Sequence, residues 1–208
     1  MSGEKTAFVD LLTSQLFVLG FAGLILACIF VECFFNLRRG RRTGDDIKAG
    51  VIPVGVLGAY LLVTSLFGQF LWPLPGSYNI LFYDMLSIAG LLIIAFAWAV
   101  RRDEKTHTVG LFGLLSGLVA IYYGYEGYLL NLTQSPLAMF GLYALFGIAG
   151  VLSYPVTLSM DMVAGGAKKL ESKWMAIGAI FVIALVLGSI IAIGTAALAL
   201  PAHLASPP

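Results

Sequence analysis

Basic residues and apolar runs alternate along this chain. Eleven of its twelve Lys and Arg residues fall into three short stretches: Arg38, Arg39, Arg41, Arg42 and Lys48; Arg101, Arg102 and Lys105; and Lys168, Lys169 and Lys173. Only Lys5 lies elsewhere. Six apolar segments separate and flank these stretches, at about 11–36, 51–72, 80–100, 109–130, 137–160 and 174–199. Each reaches the ~20 residues that an α-helix needs, at ~1.5 Å per residue, to cross ~30 Å of hydrocarbon. A membrane barrel would instead show period-2 alternation over ~10-residue strands, and none is present. The expected fold is therefore all-α, a single transmembrane domain over 1–208 built as a bundle of six helices, with no soluble domain.

Charged residues make up 11% of the chain and hydrophobic ones 60%, where soluble domains carry about a quarter charged. The net charge of +1 gives no overall field to attract nucleic acid or an acidic partner. The lipid bilayer is the partner that composition demands. Cys28 and Cys33, five residues apart on one apolar run, match no metal spacing and cannot easily meet as a disulfide on one helix; small packing residues are the simpler reading. The first apolar run follows acidic and polar residues and is too long for a signal-peptide core, so no cleaved leader is expected.

The basic stretches follow the first, third and fifth segments. Loops 37–50, 101–108 and 161–173 are then cytoplasmic by the positive-inside rule, and both termini lie outside in a cell membrane. The first loop alone holds five basic and two acidic residues, which a topology determinant explains without specific lipid binding. Trp72, Trp98 and Trp174 fall at segment ends, where an indole finds both an apolar and a wet neighbour. Asn131-Leu132-Thr133 is a glycosylation-type triplet too close to the membrane to carry weight. Pro53, Pro73, Pro75, Pro136 and Pro201 sit near segment ends, and Pro155 falls inside the fifth and should kink it.

Short motifs recur. Ala22-Gly23, Ala89-Gly90 and Ala149-Gly150 lie in segments one, three and five; Val54-Gly55 and Val109-Gly110 open segments two and four, and Ile177-Gly178 opens six. Three repeated helical hairpins would explain this, with a site near the repeat interface. Segment four holds the clearest pattern: Gly110, Gly113, Gly117, Ala120, Gly124 and Gly127 alternate spacings of three and four. Such a seam lets a neighbouring backbone approach closely and gains dispersion energy.

Four acids lie within or at the edges of the apolar runs, without Lys, Arg or His beside them: Glu32, Asp84, Glu126 and Asp161. A charged Asp at the bilayer centre costs about 2.5–3.5 kcal/mol on insertion scales. Depth pairs Asp84 with Glu126 toward the outer face and Glu32 with Asp161 toward the inner one. A proton or cation path using these acids, with Tyr122 one turn from Glu126 and Thr157 on a polar stripe of segment five, is the sharp reading. Interfacial hydration, or pairing of Asp161 with Lys168 and of Glu32 with Arg38 or Arg39, is the plain one. Tyr122, Tyr123, Tyr125 and Tyr128 surround Glu126 and read equally as an aromatic belt.

His107 and His203 lie on opposite sides and cannot together ligate a haem within a span. No zinc motif, phosphate loop or nucleophile–base pair occurs. No catalytic residue, cofactor or metal is expected, and an enzyme is disfavoured.

Trp72 to Asp84, WPLPGSYNILFYD, resembles the signature of a bacterial and archaeal membrane family catalogued as domain of unknown function 981. Leu145-Phe146-Gly147-Ile148-Ala149-Gly150 and Tyr154-Pro155-Val156-Thr157 resemble it too. Tyr83 stands where that family has a small residue. The resemblance implies a compact multi-helix membrane protein and brings no activity. Physically, Pro73, Pro75 and Gly76 force a turn, and Asn79 can cap the third helix with Asp84 in its first two turns. The leading expectation is a small proton- or cation-linked transporter or channel. The alternatives are an accessory subunit of a larger membrane complex, such as a respiratory one, with other subunits or a second copy as partners, and a lipid- or quinone-binding protein.

Overall fold

Six helices carry nearly all of the described chain: α1 Leu11–Arg38, α2 Asp45–Leu71, α3 Asp84–Arg101, α4 His107–Leu129, α5 Pro136–Ala164 and α6 Ser172–Ala205. The computed structural model describes residues 11–38, 45–74, 76–164 and 171–205; Lys5, Arg39, Arg41, Arg42, Pro75, Lys168 and Lys169 lie outside them. All six helices are long and apolar enough to cross a membrane, and no strand occurs among the described residues. This is an all-α, six-helix membrane protein.

The described basic residues of the loops gather at one end of the bundle, here called the Trp98 end. There the Arg102 guanidinium lies 5.0 Å from the Trp98 ring centre and the Lys173 ammonium 5.7 Å from that of Trp174. Lys48 pairs with Asp103 at 2.6 Å and ties the start of α2 to the α3–α4 turn. Trp72 marks the opposite end. It adopts a positive φ of 50° after the last residue of α2, as do Gly76 and Asn131 in the turns beside it; one left-handed residue is a common way to end a helix.

Neighbouring helices close into a ring, but they do not pack equally. The tight pairs are α4 with α5, α2 with α3, and α1 with α6; α3 and α4 touch least. The closest partners are thus not the three consecutive hairpins. They are pairs that bridge from one hairpin to the next, the last closing through α1.

The pairs also share a contact pattern. On α2, a methyl added at Gly55 or Gly58 would meet Ala97 or Ile93 of α3; on α4, one added at Gly110 or Gly113 would meet Thr157 or Ser153 of α5. On α6, Gly178 faces Phe34, and Phe181 stacks edge-on against Phe30 at 4.7 Å. Those partners are four residues apart in every case. Counting back from them places Gly90, Gly150 and Ala27 at equivalent points. The Ala22-Gly23 motif of α1 therefore sits one turn from the register its sequence suggests.

Backbone contact holds the pairs. All six residues of the α4 seam are buried. A methyl on Gly117 would lie 2.5 Å from the carbonyl of Gly147 and 2.6 Å from the amide nitrogen of Val151. One on Gly90 would lie 2.7 Å from the carbonyl of Gly58. In lipid no hydrophobic force distinguishes helix from solvent, so this close dispersion contact supplies the association.

Two prolines expected at helix ends lie inside helices instead: Pro53 in α2 and Pro201 in α6. Both helices continue past the apolar run, α2 from Asp45 and α6 to Ala205. Helix-breaking residues are tolerated in spans where neighbouring groups can satisfy the freed carbonyl. Asn79 does not cap α3 as expected. It is fully buried in a π-helical turn, Asn79–Tyr83, that precedes α3. Its side chain accepts from the Leu74 amide at 3.3 Å and donates to the Leu74 carbonyl, closing the 74–79 turn on itself.

Gly117→Ala should lower stability by about 1–3 kcal/mol, since the neighbouring atoms are backbone and cannot rotate away. Gly194→Ala, in α6 where the space is open, should be neutral or stabilising by up to ~1 kcal/mol. Thermal unfolding of both variants in one detergent gives the comparison.

Candidate functional site

The π turn delivers Asp84 to the start of α3, facing both α2 and α4. Gln69 of α2 donates to Asp84 Oδ1 at 3.0 Å, and the Tyr123 hydroxyl of α4 donates to Oδ2 at 3.1 Å. Gln69 also reaches Ser87 Oγ at 3.3 Å, and Ser87 donates back to the Asp84 carbonyl. The carboxylate is half-buried and has no cationic partner among the described residues. Tyr83, the departure from the family signature, is fully buried with its ring filling the space above Gly68. It therefore fits because α2 has no side chain there.

A second polar group lies nearby on α1 and α2. Gln15, wholly buried, donates to Thr64 Oγ1 at 2.9 Å and Ser65 Oγ at 3.1 Å, while its Oε1 has no partner among the described residues. Tyr60 donates to Ser14 Oγ at 2.8 Å, and Thr13 meets His203 Nδ1 at 3.3 Å. Hydrogen bonds thus tie α6 to α1, α1 to α2, α2 to α3 and α3 to α4 in the Trp72 half of the bundle.

Below this belt lies an apolar cavity of about 180 Å³, lined by α1, α3, α4, α5 and α6. Its lining runs from Phe82 of the π turn to Phe96 of α3 and from Leu16 to Phe30 on α1, the latter a rise of about 21 Å at ~1.5 Å per residue. Within this lining Phe30 stacks on Phe96 at 5.3 Å. The lining hydroxyls are occupied. Ser116 donates to the Phe112 carbonyl, Ser153 to those of Gly150 and Gly110, and Thr157 to that of Ser153. Such back-bonding removes donors that would otherwise face the space.

The four acids make no hydrogen bond with one another among the described residues. Asp161 accepts from the Thr106 amide (3.0 Å) and hydroxyl (2.9 Å) on Oδ1, and from the His107 amide (2.8 Å) on Oδ2, which also lies 2.7 Å from His107 Nδ1. It therefore caps the first turn of α4 from a different helix, supplying the orphan N–H groups there with an anionic acceptor. The expected partner Lys168 lies outside the described residues. Glu32 is exposed in a shallow groove of α1 and α6 with Cys28 and Asn36, and is paired with no described residue, Arg38 included. Glu126 is half-buried, and its side chain makes no hydrogen bond or ion pair among the described residues. Tyr122 is 61% exposed, Tyr125 is exposed too, and Tyr128, also exposed, has its ring 5.8 Å from that of Phe140 on α5. Thr157 is buried on the α4 face of α5. No group of three metal-ligating side chains occurs among the described residues.

Residues 6–206 match the profile of a protein family of unknown function, DUF981. The chain belongs to that family. No curated protein and no solved structure matches it.

Three site residues escaped the reading of the sequence. Gln15 and Gln69 are the two glutamines within the apolar runs, and an amide in hydrocarbon costs enough to need partners; that was the signal. Tyr123 was indistinguishable from its three neighbours. In this DUF981 chain, Asp161→Ala should cost about 1–3 kcal/mol by stripping the α4 start of its acceptor. Hydrogen exchange at the Thr106 and His107 amides should rise, with α3 unaffected.

Proposed function

We propose that this protein binds a chain-like apolar molecule of the lipid or isoprenoid-quinone class inside its helical bundle. The single observation behind this reading is the long apolar cavity whose hydroxyls all bond back to backbone. Apolar cavities stay dry and take apolar ligands, and a space extending over ~21 Å suits an extended hydrocarbon chain. The bundle is proposed to sit with the Trp98 end, where the described loop cations gather, in the cytoplasm, and with both termini outside.

Proton or cation transport through Asp84 and Glu126 is the second reading, favoured by a half-buried carboxylate within a span that pairs with no cation among the described residues. It has less behind it, because Asp161 is committed to the α4 turn, Glu32 faces outward, and the cavity between the helices is apolar. Proteoliposomes carrying Asp84→Asn with Glu126→Gln should show the same proton and alkali-cation flux as wild type; a lower flux would restore transport.

The binding reading is tested by extracting the protein in mild detergent and analysing it by native mass spectrometry. An amphiphile should remain at about one per chain. Ala89→Phe, which adds bulk at a cavity-lining position of α3, should lose it while retaining the wild-type melting temperature. No retained molecule in wild type, or equal retention in Ala89→Phe, would refute the reading. For orientation, in a chain with Cys28 and Cys33 replaced by Ser, Ser77→Cys should react with an impermeant maleimide on intact cells. Glu104→Cys should react only after lysis.

A further inference from the structure

Resting on that binding reading, we propose that Asp84, Gln69 and Tyr123 form the head-group site for the same molecule, and that the head group is an ammonium. Position carries the first part. Asp84 lies at the depth where the cavity ends on α3, between Phe82 and Met85, both of which line it. Ile88, four residues along the same face of α3, and Ala120, three residues from Tyr123 on α4, also line it. The polar cluster therefore sits over the α3–α4 side of the cavity. That side is the weakest contact in the ring, and the Tyr123–Asp84 hydrogen bond spans it. A chain entering from the bilayer between α3 and α4 would leave its polar end beside this carboxylate.

Chemistry carries the second part. Gln69 and Tyr123 each spend a donor on Asp84. What remains for a ligand is acceptors: the further lone pairs of the carboxylate, the Tyr123 oxygen and the Gln69 carbonyl. No Lys, Arg or His pairs with Asp84 among the described residues, and a carboxylate inside a span calls for a cation or a proton. An ammonium offers three donors and the opposite charge. A carboxylate or phosphate head group would face like charge and no free donor.

The test compares dodecylammonium, dodecanol and dodecanoate at neutral pH, with binding to the full chain in non-ionic detergent read by native mass spectrometry. Wild type should bind dodecylammonium at least tenfold more tightly than the other two. Asp84→Asn should abolish that preference and leave dodecanol unchanged. Asp84→Glu should keep part of it. Tyr123→Phe, which alters no charge, should change the dodecylammonium constant at least threefold without moving dodecanol, so the proposal stays testable should Asp84→Asn not fold. Equal binding of the three probes to wild type, tighter dodecanoate, or an undiminished ammonium preference in Asp84→Asn would overturn the head-group site. In those cases loss of dodecanol binding in Ala89→Phe would still uphold the cavity. Unchanged binding of all three probes in Ala89→Phe would overturn the cavity reading, and this site with it.

Discussion

Close backbone contact between helices is what the rest of this molecule depends on. A membrane helix gains nothing from burying leucine that lipid does not already supply. Association must come from surfaces that approach more closely than lipid chains can. The glycines of α4 face those of α5 so that carbonyl and Cα of opposite helices meet, with Gly150 and Gly117 on each other's surface. Gly58 and Gly90 do the same for α2 and α3. The pairs are strong because they are backbone-deep. The ring is weaker between pairs, weakest between α3 and α4, and a cavity lies among the helices.

Side-chain hydrogen bonds add to the backbone contact. The Trp72 half carries separate side-chain hydrogen bonds that in turn cross the interfaces from α6 through α1, α2 and α3 to α4. Interhelical bonds in membranes are individually modest, about 0.6 kcal/mol on average in measured cases. Their value here is geometric. They hold a carboxylate at a fixed depth between α2 and α4.

The helices themselves were legible in the sequence, because length and hydropathy alone define a span and the loop charges mark its ends. The α4 seam was legible as a pattern, because spacings of three and four place glycines on one face. What could not be read was the partner of each polar residue. Asp161 looked like half of an inner ion station; only the folded chain shows the α4 turn arriving against it. Asp84 and Glu126 looked alike by depth, yet one is held by two donors and the other by none among the described residues. Pro53 and Pro201 looked like terminators, since apolar length says where a membrane ends and not where a helix does. Tyr123 differed from Tyr122 only by its direction around the helix, which depends on how far α4 is rotated against α5.

The π turn at Asn79–Tyr83 holds one more residue than an α turn would over nearly the same rise. It behaves as an insertion that the fold has absorbed. Removing that residue would rotate one side of the turn by about 100° relative to the other. Asn79 could then keep its grip on Leu74, or Asp84 could keep Gln69 and Tyr123, but not both. Chains of this kind that differ by one residue between the tryptophan and the aspartate can therefore share all six helices and still part company in what they recognise.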